Sequence, residues 1–395
     1  LPASVATANV ERSQSSWRRI LLRAAIAYIA TRLCVLMGAG VVAAQKIVEQ
    51  KVRGEPHPMG SVSGLVDVLT TWDSQWYLRI ARLGYPTVVP PHATFDMPEA
   101  RTVFFPLYPF LVRCLDMVLP GGDILAALTL NAILGAGAIY LIGLLACNLF
   151  GERVAYRTML IAAVFPGSFV LSFGYAEATL LVLAAGCLLC LQRRQWWLAG
   201  ALAALGTAAR PNGVALIAAC ATACFLAIRE RREWRSMVAP LLAPLGLVAF
   251  QFFLAVHTGD PGVWLRVQRE AWAERTSFGW SALAATWDAI AHPLQSPTNV
   301  VVGLSMVATV LLCIVGWKRR LPWPIMAYTV TILALMLLPS SVTARPRFIY
   351  TAFPLLISLS AWLAEDHDSW AMLYAMSAAG LVAVTALYGC YGAIP

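Results

Sequence analysis

Charge is scarce in this chain. Asp, Glu, Lys and Arg together make up 12% of its 395 residues, against about 25% in a soluble domain. Too few ionisable side chains remain to cover a water-facing surface, which excludes a soluble enzyme and a disordered tail protein. Neither long loop contains an HExxH, DxD or paired-His spacing, so metal dependence has no motif to rest on. No Walker loop is present and no GxGxxG follows a strand, which removes direct nucleotide use. The nine cysteines lie almost entirely inside apolar runs. Cys187/Cys190 and Cys220/Cys224 have metal-like spacing but no His, Asp or thiol-rich partner segment. They read as small packing residues rather than a disulfide framework or a zinc site.

What the chain does have is apolar length. Hydrophobic residues make up 59% of it and the mean hydropathy is +0.70. Apolar runs recur near the ~20 residues a spanning helix needs. These features predict an all-α, polytopic membrane protein of about ten or eleven spans. The spans are expected near 20–44, 124–149, 158–173, 176–192, 196–209, 213–228, 237–256, 299–316, 322–339, 347–364 and 370–391. Breaks at Pro166-Gly167 and Pro211-Asn212-Gly213 are tolerated at membrane depth where the freed backbone packs on protein or lines a cavity. The first run follows a basic stretch, but it is long enough to span and is not read as a cleavable signal.

The net charge of +9 is not a nucleic-acid footprint, because the cations are not gathered on one face or arm. They fall in short clusters between apolar runs: Arg18/Arg19/Arg23, Arg153/Arg157, Arg193/Arg194, Arg229/Arg231/Arg232/Arg235 and Lys318/Arg319/Arg320. Such clusters mark cytoplasmic loops. Placing all of them inside makes every span alternate without conflict. The segment 103–119 then does not count as a span and reads as a juxtamembrane or re-entrant helix on the outer face. Two outer segments are left long, 45–119 and 257–298, within one membrane-embedded unit over 1–395. Long loops in compact proteins are usually functional, and these two are expected to meet over a common cavity.

The first loop contains TWDSQWYLRIARLGYP, starting at Thr71. Helical spacing makes Trp72/Trp76 and Asp73/Tyr77 neighbours, and Gly84 with Tyr85-Pro86 stops the helix. Asp73 reads either as an N-cap or as a carboxylate base beside a membrane-held substrate. The flanking indoles supply the ring faces that stack on sugar C–H groups. Glu177 stands at the outer break of the apolar stretch 158–192, where a carboxylate is costly and a functional role is the default reading.

The first of these motifs, followed about twenty residues later by FFPLYP from Phe104, resembles the first luminal loop of the PIG-V family of GPI-anchor mannosyltransferases. FPGSFVLSFGYAE from Phe165, ARPNG from Ala209, HTGDPGVWLRVQ from His257 and RPRFIYTAFPL from Arg345 agree with that family in order. The resemblance runs from Trp72 to Leu355. The Ala-, Leu- and Arg-rich composition suggests a bacterial member. The resemblance implies a GT-C architecture, a multispanning helical glycosyltransferase with juxtamembrane helices on its outer face. The implied donor is polyprenyl-phosphate-mannose and the acceptor a lipid-linked or other glycan, with transfer inverting the anomeric carbon. Membrane lipids are its surroundings, and no metal or other cofactor is implied.

On that reading Asp73 is the catalytic base. The substrate-binding candidates are Trp72, Trp76, Tyr77, Tyr108, Glu177, Arg210, Asn212, His257, Gln268, Arg345 and Arg347. Arg210, Arg266, Arg269, Arg345 and Arg347 are the cations available to the departing phosphate, because an Arg fork donates two parallel hydrogen bonds. Transfer of another sugar, such as arabinose or glucose, is the alternative within this class. A lipid or sugar transporter is the alternative outside it, and would call for an internal repeat with matching broken helices. The sequence shows no such repeat.

Overall fold

The computed structural model describes residues 3–341 and 343–395, with side chains from 17 onward. Helices account for the architecture. The only β-pairing among the described residues is an isolated bridge between Thr276 and Pro339.

The path begins with α1 (Ala3–Val52), which leads into α2 (Ser61–Leu69), α3 (Asp73–Leu83) and α4 (Leu107–Asp116). α5 (Gly122–Phe150) runs back through the bundle. α6 (Glu152–Val164), α7 (Glu177–Gln192), α8 (Trp196–Ala209) and α9 (Val214–Arg231) then alternate in direction. α10 (Val238–Leu242) and α11 (Leu245–Thr258) form one path about Pro244, and α12 (Val263–Ala271) and α13 (Trp280–Ala291) fill the second long loop. α14 (Pro297–Arg319) and α15 (Trp323–Leu337) follow, then the Pro-punctuated pair α16 (Pro346–Thr351) and α17 (Pro354–Trp362), and last α18 (His367–Gly389).

Among the described residues, six stretches are long and apolar enough to cross a membrane: Trp17–Val52, Gly122–Phe150, Pro211–Arg231, Trp234–Thr258, Pro297–Arg319 and His367–Gly389. The remaining expected spans are shorter helices. At 1.5 Å per residue, the 16 residues of α7 reach about 24 Å, short of the ~30 Å hydrocarbon core. The reason is position. α7 is apolar on all sides and nearly every residue on it is buried, so it lies within the bundle and needs no full-length lipid-facing surface. Its first residue, Glu177, is therefore enclosed by protein.

The connections at 150–152, 192–196, 231–234, 319–323 and 362–367 share one end of the bundle, and four of the five basic clusters lie at or beside them, the fifth being on α1. Arg153 pairs with Glu365 at 2.7 Å, and Arg194 pairs with Glu233. The two long loops lie at the other end. There Trp76, Tyr77, Phe104, Phe105 and Tyr108 of the first loop share an apolar cluster with Phe250, Val263 and Val267 of the second. α4 has only 10 residues and packs on α3 and α5, so the segment 103–119 does not span.

Candidate active site

α3 starts at Asp73 because the chain turns sharply at Trp72, whose φ is 57°. A bulky aromatic rarely occupies that region, at a cost of roughly 1–3 kcal/mol. Two contacts hold it there: Trp72 Nε1 donates to Tyr388 O at 2.9 Å, and its ring meets Tyr391 at 5.0 Å. The Asp73 carboxylate caps no helix. Instead Arg347 Nη1 donates to Asp73 Oδ2 at 2.6 Å.

Arg347 enters from α16, behind Pro346. The same Nη1 lies 3.7 Å from Glu177 Oε1, and Arg210 Nη1 lies 2.7 Å from Glu177 Oε2. Asp73, Arg347, Glu177 and Arg210 thus form a row of alternating charge. Glu177 is fully buried, and the Arg210 and Arg347 side chains are 8% and 9% exposed. Charges at that depth persist only when paired, which explains why the row contains two acids and two arginines. The Asp73 side chain remains 21% exposed and is the most open member of the row.

Above the row lies a cavity of about 840 Å³. Asp73, Tyr77, Arg210, Asn212, Gln268 and Arg347 all contribute to its wall. Burial pushes the Tyr77 phenol well above its ordinary range, so it faces the cavity as a neutral hydroxyl. The wall also holds Arg269, one of the cations expected for the phosphate, and adds residues beyond the sequence-based candidates: Trp264, Trp272, Glu274, Arg275 and Phe348. A helical signal was there to find the first of these. Trp264, Gln268 and Trp272 are spaced i, i+4, i+8, so they share one face of α12 and the residue after it.

Other candidates stand outside the wall, and their partners explain why. Trp72 is turned to the Tyr388 carbonyl. Trp76 packs behind the surface against Phe95, Phe104 and Trp272, so the two indoles do not sandwich Asp73. Tyr108 is buried edge-on to Tyr77 at 5.1 Å. Glu177 acts behind the two arginines. His257 Nε2 is 3.2 Å from Tyr85 O and its ring stacks on Phe253. Arg345 donates to Pro395 O at 2.9 Å and to Ser341 O at 2.8 Å. Burial pushes its guanidinium down to about 10, with Arg347 adding repulsion.

Arg266 is also committed. It ties α12 to Asp260 at 2.8 Å and to Pro90 O at 2.9 Å, and holds the Asp260 carboxyl below its usual range. Arg269 and Arg275, in contrast, line the cavity and take part in no ion pair among the described residues. No group of three or more His, Cys, Asp or Glu side chains suited to a metal gathers among those residues.

Residues 100–256 match the family model described as dolichyl-phosphate-mannose-protein mannosyltransferase. The GPI alpha-1,6-mannosyltransferase 2 of Rattus norvegicus is 30% identical over 173 residues, which is 40% of this chain and 32% of that protein. Its Cricetulus griseus counterpart is 29% identical over 163 residues, 39% of this chain and 31% of that protein. The chain thus spans about a third of the length of the curated relatives it matches. Among solved structures, ArnT from Cupriavidus metallidurans bound to undecaprenyl phosphate superposes with a TM-score of 0.50 at 16% identity, over 75% of this chain and 56% of that one. The fold accordingly resembles that of GT-C membrane glycosyltransferases, and residues 100–256 are similar to a mannosyltransferase family.

Proposed function

We propose that this protein is an inverting mannosyltransferase that moves mannose from polyprenyl-phosphate-mannose to a lipid-linked or other glycan acceptor. The reaction is assigned to the extracytoplasmic face of a bacterial plasma membrane, the face opposite the basic loops. The observation that carries the reading is Asp73, partly open to an 840 Å³ cavity while fixed at 2.6 Å by Arg347. The cavity is of a size that takes a sugar with its acceptor. The similarity of residues 100–256 to a dolichyl-phosphate-mannose-dependent family supports the choice of sugar and carrier.

In this mechanism the acceptor hydroxyl attacks the anomeric carbon from the side opposite the phosphate. The carbon–oxygen bond to phosphate breaks, and the phosphate leaves with the electron pair. The hydroxyl proton passes to Asp73, general-base work worth typically 10²–10⁴-fold. Arg347 fixes the carboxylate in place, and the Glu177–Arg210 pair in turn fixes Arg347. The leaving phosphate is assigned to Arg269 and Arg275, whose forks are not taken by carboxylates of the protein. Trp264 and Trp272 offer ring faces to the sugars, and Gln268 and Asn212 offer hydrogen bonds.

Purified protein in liposomes, supplied in turn with polyprenyl-phosphate-linked mannose, glucose and arabinose, tests the assignment. Label is expected to reach an acceptor from the mannose donor. Transfer from another donor alone overturns the sugar, and transfer from none overturns the function.

A further inference from the structure

Arg32 lies within the Trp17–Val52 span, at a depth where a charge is costly and calls for a reason. Its guanidinium is met by carbonyls and hydroxyls, not by a carboxylate. Nη1 donates to Ser168 O at 2.8 Å and to Ser172 Oγ at 3.1 Å. Nη2 donates to Ala163 O at 2.6 Å and to Ser168 Oγ at 3.0 Å.

Those acceptors belong to the break that follows α6. Pro166 has no N–H to give the last turn, so the carbonyls of Ala162 and Ala163 lose helical partners. The Tyr350 hydroxyl donates to Ala162 O at 2.7 Å. Arg32, together with the Ser168 hydroxyl at 2.8 Å, satisfies Ala163 O. Arg32 therefore binds both sides of the break, from a different helix.

The broken segment 165–176 packs beside Arg347 and the neighbours of Asp73 in the charged row, and leads into Glu177. A methyl group on Gly167 would lie 2.2 Å from Pro346 O, so the break seats the residue directly before Arg347. The Gly174 N–H donates to Leu69 O at 3.2 Å, and a methyl group there would meet the Ser74 side chain at 3.2 Å, beside Asp73. The Arg347 guanidinium lies 5.5 Å from the centre of the Tyr175 ring. The segment ends at Ala176, directly before Glu177.

We propose that Arg32 is a positioning residue: by clamping segment 165–176 it sets where Arg347 meets Asp73 and Glu177. Its catalytic half rests on the transferase function proposed above. Placement errors near 1 Å cost on the order of 10²-fold in rate, so loosening the clamp lowers turnover without removing any group that touches substrate.

The test uses the full chain in nanodiscs as wild type, Arg32→Met and Arg32→Lys, with two readouts. The first is amide hydrogen exchange without substrate. Exchange in Arg32→Met is expected to quicken in 165–176 and 346–351 and to stay unchanged in α12 and α13. The second is transfer kinetics, where kcat is expected to fall about 10-fold or more with the donor KM within about two-fold. Arg32→Lys keeps the charge but not the fork and is expected between the two on both readouts. Should Arg32→Met not fold, Arg32→Lys and Ser172→Ala weaken the same clamp and carry the same expectation. Unchanged exchange in 165–176 overturns the clamp. Faster exchange with unchanged kcat, or a rise in KM alone, overturns the positioning role. If wild type transfers no sugar, the proposed function falls and the catalytic half falls with it, while the exchange readout still decides the clamp.

Discussion

Arg347 Nη1 and Asp73 Oδ2 meet at 2.6 Å across 274 positions of sequence. The contact joins the start of a juxtamembrane helix to the start of a late, Pro-punctuated one. It holds the carboxylate in one place while one edge stays open to the cavity.

Glu177→Gln is expected to destabilise the fold more than Asp73→Asn. Glu177 is fully buried between two arginines, whereas the Asp73 side chain is 21% exposed. Removing one member of a buried pair leaves uncompensated charge at a cost of about 3–5 kcal/mol. Thermal unfolding of both variants in detergent checks the order, and an equal or smaller loss in Glu177→Gln contradicts it.

Gly167→Ala is expected to lower both stability and transfer, because the added methyl lies 2.2 Å from the Pro346 carbonyl and 2.8 Å from Tyr350 Cβ. Neither of these can swing away as the end of a long side chain does. Gly303→Ala is the comparison, since its nearest contact is at 3.6 Å, and it is expected near wild type. The melting temperatures and transfer rates of the pair decide it.

The charged row and the local chemistry around it differ in how well the sequence displays them. The Pro166 and Pro211 breaks were readable because proline removes a donor wherever it stands. The basic connections were readable because topology follows cation placement. Glu177 was readable as a costly charge at an apolar break, Asp73 as a lone acid beside two indoles, and Arg210 and Arg347 as cations available to a phosphate. Their pairing was not, because contacts between residues this far apart leave no periodic trace. Trp72, His257 and Arg345 show the same blindness from the other side, each turned to a backbone carbonyl that no residue type announces. The short length of α7 was readable, its expected bounds of 176–192 differing by one residue from those observed, but its enclosure was not, since hydropathy cannot tell a helix enclosed by protein from one facing lipid.

Arg269→Gln and Arg275→Gln are each expected to raise the donor KM about 10-fold with a smaller effect on kcat, as loss of one charge-assisted bond to phosphate is worth roughly that factor. The same assay on Arg266→Gln separates binding from structure. That arginine holds Asp260 and the Pro90 carbonyl, so its loss is expected to loosen the second loop. A donor KM unmoved in both Arg269→Gln and Arg275→Gln contradicts the phosphate assignment.

Transfer is expected to persist in EDTA. The two acids of the row are already met by arginines at 2.6 and 2.7 Å, and a divalent cation would have to displace a guanidinium to reach them. Rates before and after chelation, with magnesium or manganese added back, check this. Loss on chelation with recovery on add-back contradicts it.

The central claim is that the Asp73 carboxylate accepts the proton of the attacking hydroxyl. Its most direct test is mannose transfer from purified polyprenyl-phosphate-mannose by wild type and Asp73→Asn, at matched expression and melting temperature. Asn keeps the size but takes up no proton, so a loss of about 10²-fold or more is predicted. A rate in Asp73→Asn equal to wild type would contradict the account.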